Sequence, residues 1–465
     1  VNDAKLLRWW IALCAIAGAA LFVSQLWEIP WRSALRGYDN TFNYLWLRSA
    51  LADGDWDFEN DLQIADTLAP EHQVSALGLP RTKSGRIPNK YGVGWAVLTA
   101  PAYVAADALV IAGERTGAWT WPRDGFGPVY QIAVQCWHLV LALLSLVLAW
   151  KTIARWLDDS ASALAGVTTV WAASPLFYYQ TANLSMSHGA AFFAIALFAF
   201  ALTRARDGNA ARWWVLAGLG WGLAVITRFQ LAVFGIVALW AWATTLPARG
   251  GRESGKRNGF AHPAVRAASY FSLGAAPLLF LQLWAWRVVY GEWFVFSYGA
   301  EGETFHWIQP EIFNSLFSSW HGLFYWHPLL AIAAIGMVAW AWRDRGEALA
   351  WALTVGATAY IAAAWWCWWF ASSFGNRAYD AALLPLMGGT AWLFSRVGGT
   401  WRGALWTLAI VAGLWNFYVA TLYRTGAISR HEPVTWKEML AAAHRLPDAA
   451  RFEPRSESPV DATPH

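Results

Sequence analysis

The chain of 465 residues is 57% hydrophobic and only 14% charged, a balance outside the range of soluble globular domains. Its formal net charge of +4 makes no case for a nucleic-acid partner. The three cysteines, Cys14, Cys136 and Cys367, all lie inside apolar runs and supply neither a disulfide framework nor a metal-ligand spacing.

Apolar runs long enough to cross about 30 Å of hydrocarbon recur along nearly the whole length. They fall near 7–27, 91–113, 128–150, 160–179, 188–203, 213–228, 229–247, 268–290, 322–342, 348–370, 379–395 and 404–423. The expected fold is an all-α, polytopic transmembrane bundle of about 11–12 segments, since the weaker alternating runs of a β-barrel are not visible. The first run is too long for a cleaved signal peptide and reads as a retained anchor.

The organisation expected along the chain is a first transmembrane helix over 1–27 and an external loop over 28–90. A transmembrane module over 91–247 follows, then a basic cytoplasmic loop over 248–267 and a second transmembrane module over 268–423. A polar tail, 424–465, carries a short amphipathic helix near Trp436–Leu446 and ends in disorder. Many of the 36 tryptophans sit at segment ends, the headgroup level that suits an amphipathic ring. Trp56, Trp307 and Trp320, in loops, are candidates for stacking on a substrate.

Lys and Arg in short loops set the orientation. Lys5 and Arg8 place the N-terminus inside, as do Arg204, Arg206 and Arg212, the basic stretch 249–266, and Arg343 and Arg345 for their own loops. Residues 291–320 carry no Lys or Arg and read as external. Counting from both ends puts the two flanks of 91–113 on one side of the membrane. That segment holds Gly92, Gly94, Pro101 and Asp107, so a bent or re-entrant path is one reading and an error in another assignment is the other.

The densest polar chemistry is the stretch 37–61, GYDNTFNYLWLRSALADGDWDFEND, directly after the first span. It carries Asp39, Asp53, Asp55, Asp57, Glu59 and Asp61, with Glu28 just upstream. Glycosyl transfer needs a carboxylate that takes the acceptor's proton while an anionic leaving group departs, and Asp39 lies nearest the membrane for that role. Asp39, Asp55 and Asp57 are the candidate oxygen ligands for a divalent cation such as Mg or Mn. The competing reading of the DGD run is turn and capping chemistry.

Further along, Arg86 and Lys90 in SGRIPNKYGVGW arrive at the external headgroup level and are candidate phosphate-binding residues, with snorkelling anchors as the alternative. His188, in the charge-free turn before the 188–203 run, is a candidate metal ligand or hydrogen-bonding group for substrate, with a locally satisfied ring as the alternative. Arg228 stands between two apolar runs, a costly place that calls for an anionic partner. His321 in FSSWHGLFYWHP and Arg377 in SSFGNRAYD are candidate substrate- and phosphate-binding residues on the same expected external side, Arg377 as a clamp for pyrophosphate or sugar-phosphate, with pairing to Asp380 as its alternative.

In their order, these pieces resemble the GT-C superfamily of polytopic glycosyltransferases. The likeness is nearest the dolichyl-phosphate-mannose protein mannosyltransferase and aminoarabinose transferase branches, and especially uncharacterised bacterial members. It rests on Tyr38-Asp39-Asn40 opening the first external loop, then DGDWDF, NKYGVGWAVLTAP, the SMSH turn, SSWHGLFYWHP and SFGNR, and it spans nearly the whole chain in short pieces. The resemblance implies a polyprenyl-phosphate sugar donor, an external active site, location in a bacterial inner membrane, and an essential acidic residue that falls on Asp39. Where the family shows an acidic pair, Asn40 follows Asp39 here, so a metal site needs a second carboxylate from farther away. Expected partners are the lipid donor, the bilayer and an acceptor that the sequence does not specify. An O-antigen ligase-like or polymerase-like transferase and a lipid flippase are the rival readings. The first favours a functional loop late in the chain and the second internal repeats, and neither feature is evident.

Overall fold

The computed structural model describes residues 3–28, 37–68, 77–208, 210–245 and 263–446. The side chain of Glu28, most of the basic loop expected over 248–267, and the tail after 446 lie outside the described residues. All the regular structure described is helical. α1 (Asp3–Glu28) is followed by α2 (Tyr38–Arg48) and α3 (Phe58–Leu68), then by α4 (Gly94–Thr116), α5 (Pro128–Leu157), α6 (Ser160–Ala172) and α7 (Ser187–Gly208). α8 (Ala211–Thr227) breaks into a 3-10 turn, Phe229–Phe234, before α9 (Gly235–Ala243). The second half comprises α10 (Pro263–Tyr290), α11 (Leu329–Arg343), α12 (Glu347–Ala364), α13 (Leu383–Arg396) and α14 (Gly399–Arg424), and ends with the short α15 (Trp436–Ala441).

By length and composition, seven helices among the described residues can cross a membrane: α1, α4, α5, α7, α10, α12 and α14. Every apolar run read from the sequence coincides with one of the helices, some of them shorter than a full span. Small residues let them approach closely: Gly218 faces Phe271, Gly166 faces Ala391 and Gly220 faces Phe198, each with backbone where a Cβ would stand.

Side-chain pairs give the direction of each helix. α5 and α7 run in parallel, with Gln135 bonded to Ser185 near their starts and Trp156 Nε1 donating to Thr203 Oγ1 at 3.0 Å near their ends. α4 runs against α5 but meets only its first turns. The Trp95 ring stacks on His138 at 5.1 Å, and Thr99 Oγ1 lies 2.8 Å from His138 Nε2. Asp107 accepts from Tyr130 at 2.8 Å. Residues 130 to 138 span about 12 Å of α5, whose full length is about 45 Å. α4 therefore starts two turns inside one end of the bundle and climbs back out of that same end.

It is a continuous helix, with Pro101 inside it, and not a re-entrant hairpin. Both of its flanks nevertheless lie at one end, which removes the conflict between the two orientation counts. The remaining long helices alternate in direction, and the C-terminus of α14 returns beside that of α1, where Arg424 Nη1 donates to Leu21 O at 3.2 Å. The same end gathers α2, the 84–93 segment, residues 291–326 and residues 365–382.

α2 is buried over Asn40 to Arg48 although half of those residues are polar. It closes on a second hydrophobic cluster formed with α3, α4 and the start of α5, separate from the large cluster of α6, α7, α8, α11, α13 and α14. Its far end is clamped by Arg48, which pairs with Asp53 and, at 2.8 Å, with Asp61. The acidic loop is thus a folded cap on the bundle.

Candidate active site

A cavity of about 650 Å³ opens at that end of the bundle. Its polar side carries Asp39, Lys90, Tyr91, Arg228, Glu303 and Arg377; Phe305, Trp307, Trp365, Trp366 and Phe370 form an apolar wall opposite. Five separate stretches of chain deliver these groups. The expected phosphate-binding residues Lys90, Arg228 and Arg377 therefore do converge on Asp39, across more than 300 positions of sequence.

Asp39 stands in the first turn of α2, whose N-terminus follows Gly37 at φ 81°. Its Oδ2 meets Arg377 Nη2 at 2.9 Å, and its Oδ1 accepts from the Tyr91 hydroxyl at 2.5 Å. The Asp39 side chain is 29% exposed, towards the cavity, and that of Arg377 14%. Burial pushes the Asp39 carboxyl up, but the Arg377 guanidinium, the Tyr91 hydroxyl, Lys90 and Arg228 together outweigh it and hold the group below its ordinary value. Asp39 is accordingly an ionised carboxylate facing a largely apolar space.

Lys90 is boxed in. Its Nζ donates to Glu301 at 2.6 Å and to Glu303 at 3.0 Å, and lies 5.1 Å from the centre of the Tyr38 ring. Burial pushes its pKa down and the two carboxylates push it up further, so the ammonium stays charged. For Glu303, burial outweighs the attraction of Lys90 and raises the carboxyl.

Arg228 occupies the break between α8 and the 3-10 turn, in extended backbone at φ −149°. Its Nη1 donates to His188 Nε2 at 3.0 Å and to Ser187 Oγ at 3.3 Å. With the Gln230 amide turned oxygen-inward, that oxygen accepts from Arg228 Nη2 at 2.8 Å and from Nε at 3.0 Å. None of these partners is charged. The close approach of the 91–94 segment to this break requires glycine: a Cβ on Gly94 would lie 2.4 Å from Thr227 Oγ1, and one on Gly92 would lie 2.0 Å from Ile226 O.

Other sequence candidates lie elsewhere. His188 is buried behind Arg228, with Nδ1 3.3 Å from Asp380 Oδ2. Asp380 thus faces His188, and Arg377 takes Asp39 as its carboxylate partner. His321 is buried under the 365–376 turn, its Nδ1 donating to Trp369 O at 2.9 Å, outside the cavity lining. Burial lowers its pKa to about 4, so it is a neutral ring at physiological pH. Arg86 donates to Val288 O at 2.8 Å and is not among the lining residues. Trp307 lines the cavity, Trp56 packs edge-on against Trp46, and Trp320 stacks on Trp369.

Asp55 accepts from Ser49 Oγ at 2.9 Å and from its neighbour's backbone, Asp57 N, at 3.0 Å, the turn chemistry weighed for the DGD run. Among the described residues no three His, Cys, Asp or Glu side chains are grouped to hold a metal ion. The cavity carboxylates are already engaged by cations, Asp39 by Arg377 and Glu303 by Lys90, so this donor set does not suit a divalent cation.

Sequence reading misses several groups at the site. Glu303 lines the cavity and Glu301 shares Lys90 with it; the two glutamates flanking Gly302, in a loop without Lys or Arg, are the available signal. Tyr91 lay inside a motif in which only the cations drew attention. Phe370 and Ala371, at φ 58° and 52°, sit in left-handed backbone on the cavity wall. Such conformations cost of order 1–3 kcal/mol each and concentrate at functional sites.

The fold and cavity define a multi-pass helical membrane protein with a buried ionic site at one end. Residues 127–256 match the family model of the dolichyl-phosphate-mannose-protein mannosyltransferases, a likeness that supports a membrane glycosyltransferase of the GT-C type. The matched span covers less than a third of the chain. It runs from the residue before α5 through α9 and contributes His188 and Arg228 to the site. No curated protein matches the chain.

Proposed function

We propose that this cavity moves a hexose or pentose from a polyprenyl-phosphate donor to an acceptor at the external face of a bacterial inner membrane, with inversion. The observation that carries the reading is the charge balance of the cavity. Arg377 is paired with Asp39 and Lys90 with two glutamates, whereas Arg228, among the described residues, touches only neutral groups. A buried guanidinium held by neutral acceptors is a receptor for an anion, and its planar fork suits a phosphate. The aromatic wall offers the apolar surface that an isoprenoid stem needs. The opposite end of the bundle carries Arg155, Arg204, Arg206, Arg212, Arg343 and Arg345, the bias of a cytoplasmic surface.

In the reaction, Asp39 takes the proton of the acceptor's hydroxyl or amide as that atom attacks the anomeric carbon. The bond from that carbon to the phosphate oxygen breaks, and its electron pair leaves with the phosphate. The phosphodiester monoanion becomes a phosphomonoester dianion, and Arg228 stabilises the added charge in a poorly hydrated site. Attack opposite the leaving group inverts the anomeric centre. Arg377 keeps Asp39 ionised beforehand.

The test is release of polyprenyl phosphate by slow hydrolysis, which needs no acceptor. Purified wild type, Asp39→Asn and Arg228→Ala would be incubated with a panel of polyprenyl-phosphate hexoses and pentoses, with and without Mg or Mn. Release by wild type, with loss in both variants while each remains monodisperse and folded, supports the assignment. Full activity in Asp39→Asn would overturn it.

A further inference from the structure

Resting on that reading, we propose that Asp380 and His188 form a buried dyad that sets the position of Arg228 and hence of the donor phosphate. A guanidinium can only donate, so the 3.0 Å contact from Arg228 Nη1 makes His188 Nε2 the acceptor. The ring proton then resides on Nδ1, and Asp380 Oδ2 lies 3.3 Å from that nitrogen. Both side chains are sealed from solvent, at 1% and 2% exposure. The two groups lie within ion-pair distance of each other, and neither Asp380 oxygen has a hydrogen-bond partner among the described residues; the Arg377 backbone is the other group close to the ring. A carboxylate hidden in this way is costly unless a nearby charge answers it. The group placed nearest to answer it is the His188 ring, whose other nitrogen accepts from Arg228.

The 3-10 turn Arg377–Ala382 thereby serves both arginines of the cavity. From its first residue Arg377 meets Asp39 directly, and three residues on Asp380 meets His188, one turn away on the same short element. The Tyr179 ring lies against His188 with centroids 4.9 Å apart and limits its rotation. His188 and Asp380 do not line the cavity. They are positioning residues, and their effect passes through Arg228.

A double-mutant cycle tests the dyad with a defined probe, a short-chain polyprenyl phosphate, its affinity read from tryptophan quenching of detergent-purified protein. Asp380→Asn and His188→Gln are each expected to weaken binding about tenfold or more, the size usual when the partner that orients a binding group is lost. In an Arg228→Ala background either change should cost almost nothing further, because the group being positioned is gone. Equal losses in both backgrounds would mean a general structural role and overturn the proposal. Loss on Arg228→Ala with unchanged binding in Asp380→Asn and His188→Gln would overturn the dyad and leave the phosphate site standing. Unchanged binding in Arg228→Ala would instead sink the phosphate assignment on which the dyad rests. If Asp380→Asn does not fold, His188→Gln decides alone, since glutamine keeps an acceptor for Arg228 and removes only the link to Asp380.

Discussion

At the scale of single residues, the site is built from charges that are answered in pairs. Asp39 is held below its ordinary carboxyl value of 3.8 because Arg377, Tyr91, Lys90 and Arg228 outweigh its burial. A group depressed in the folded state contributes stability above its unfolded pKa and loses that contribution as pH falls through its folded pKa. Asp39 should accordingly remain a base across the neutral range, and the acid limb of kcat/KM should lie below pH 3.8. Changing Arg377→Gln leaves burial less opposed, so the acid limb should move to higher pH. The rate of polyprenyl phosphate release against pH checks this, and a limb that stays in place would remove Asp39 as the titrating base.

Lys90 invites a second test. Its removal leaves Glu301 and Glu303 together without a counter-ion, so Lys90→Met should destabilise by about 3–5 kcal/mol, the usual cost of breaking a buried pair from one side. Adding Glu301→Gln and Glu303→Gln to that variant should recover much of the loss in Tm. Asp39, Lys90, Arg228 and Arg377 were legible as candidates because a charge in so apolar a chain is rare. Their partners were not. Which cation is neutralised depends on contacts such as Lys90 to Glu301, and no spacing in the sequence encodes a separation of that length.

At the scale of elements, the site depends on one close crossing. Gly92 and Gly94 let the start of α4 lie against the end of α8, where the helix breaks and Arg228 leaves it. Gly94→Ala places a methyl 2.4 Å from Thr227 Oγ1 and 2.5 Å from Thr227 N, and backbone cannot yield as a flexible side chain can. We expect a cost of about 1–3 kcal/mol from overpacking, together with a raised donor KM because Arg228 is displaced. Gly356→Ala is the control. It lies inside α12 with nothing within 4 Å of the added methyl, and should stabilise by up to about 1 kcal/mol through helix propensity. Should Gly94→Ala behave like this control in melting and donor kinetics, the crossing does not position the site. The glycines were visible in the sequence as grounds for a bent or re-entrant path. Their observed neighbour is the end of another helix, and only tertiary packing decides between those uses.

At the scale of the whole molecule, hydropathy located the helices but not every path. Periodicity and length report how apolar a segment is; they do not report whether its neighbours accompany it across the bilayer. α4 is long and apolar enough to span, yet it pairs with α5 only between the levels of Tyr130 and His138, and Asp107 in its second half, paired with Arg123 of the following loop, sits beside the start of α5. Both of its flanks should therefore face the same compartment as the cavity. A membrane-impermeant thiol reagent applied to intact spheroplasts would read this directly from single cysteines at exposed positions, with the unsubstituted chain as control for the native cysteines. Ser84→Cys and Thr120→Cys, before and after α4, should both label, and Arg345→Cys, between α11 and α12 at the opposite end, should label only after lysis. Labelling of Ser84→Cys with protection of Thr120→Cys would mean that α4 crosses the membrane. The direction of every later helix would then have to reverse, carrying Arg228 and Arg377 to the face opposite Asp39. Because Asp39 and Arg377 meet at 2.9 Å, the two halves of the site can share one face only if α4 turns back.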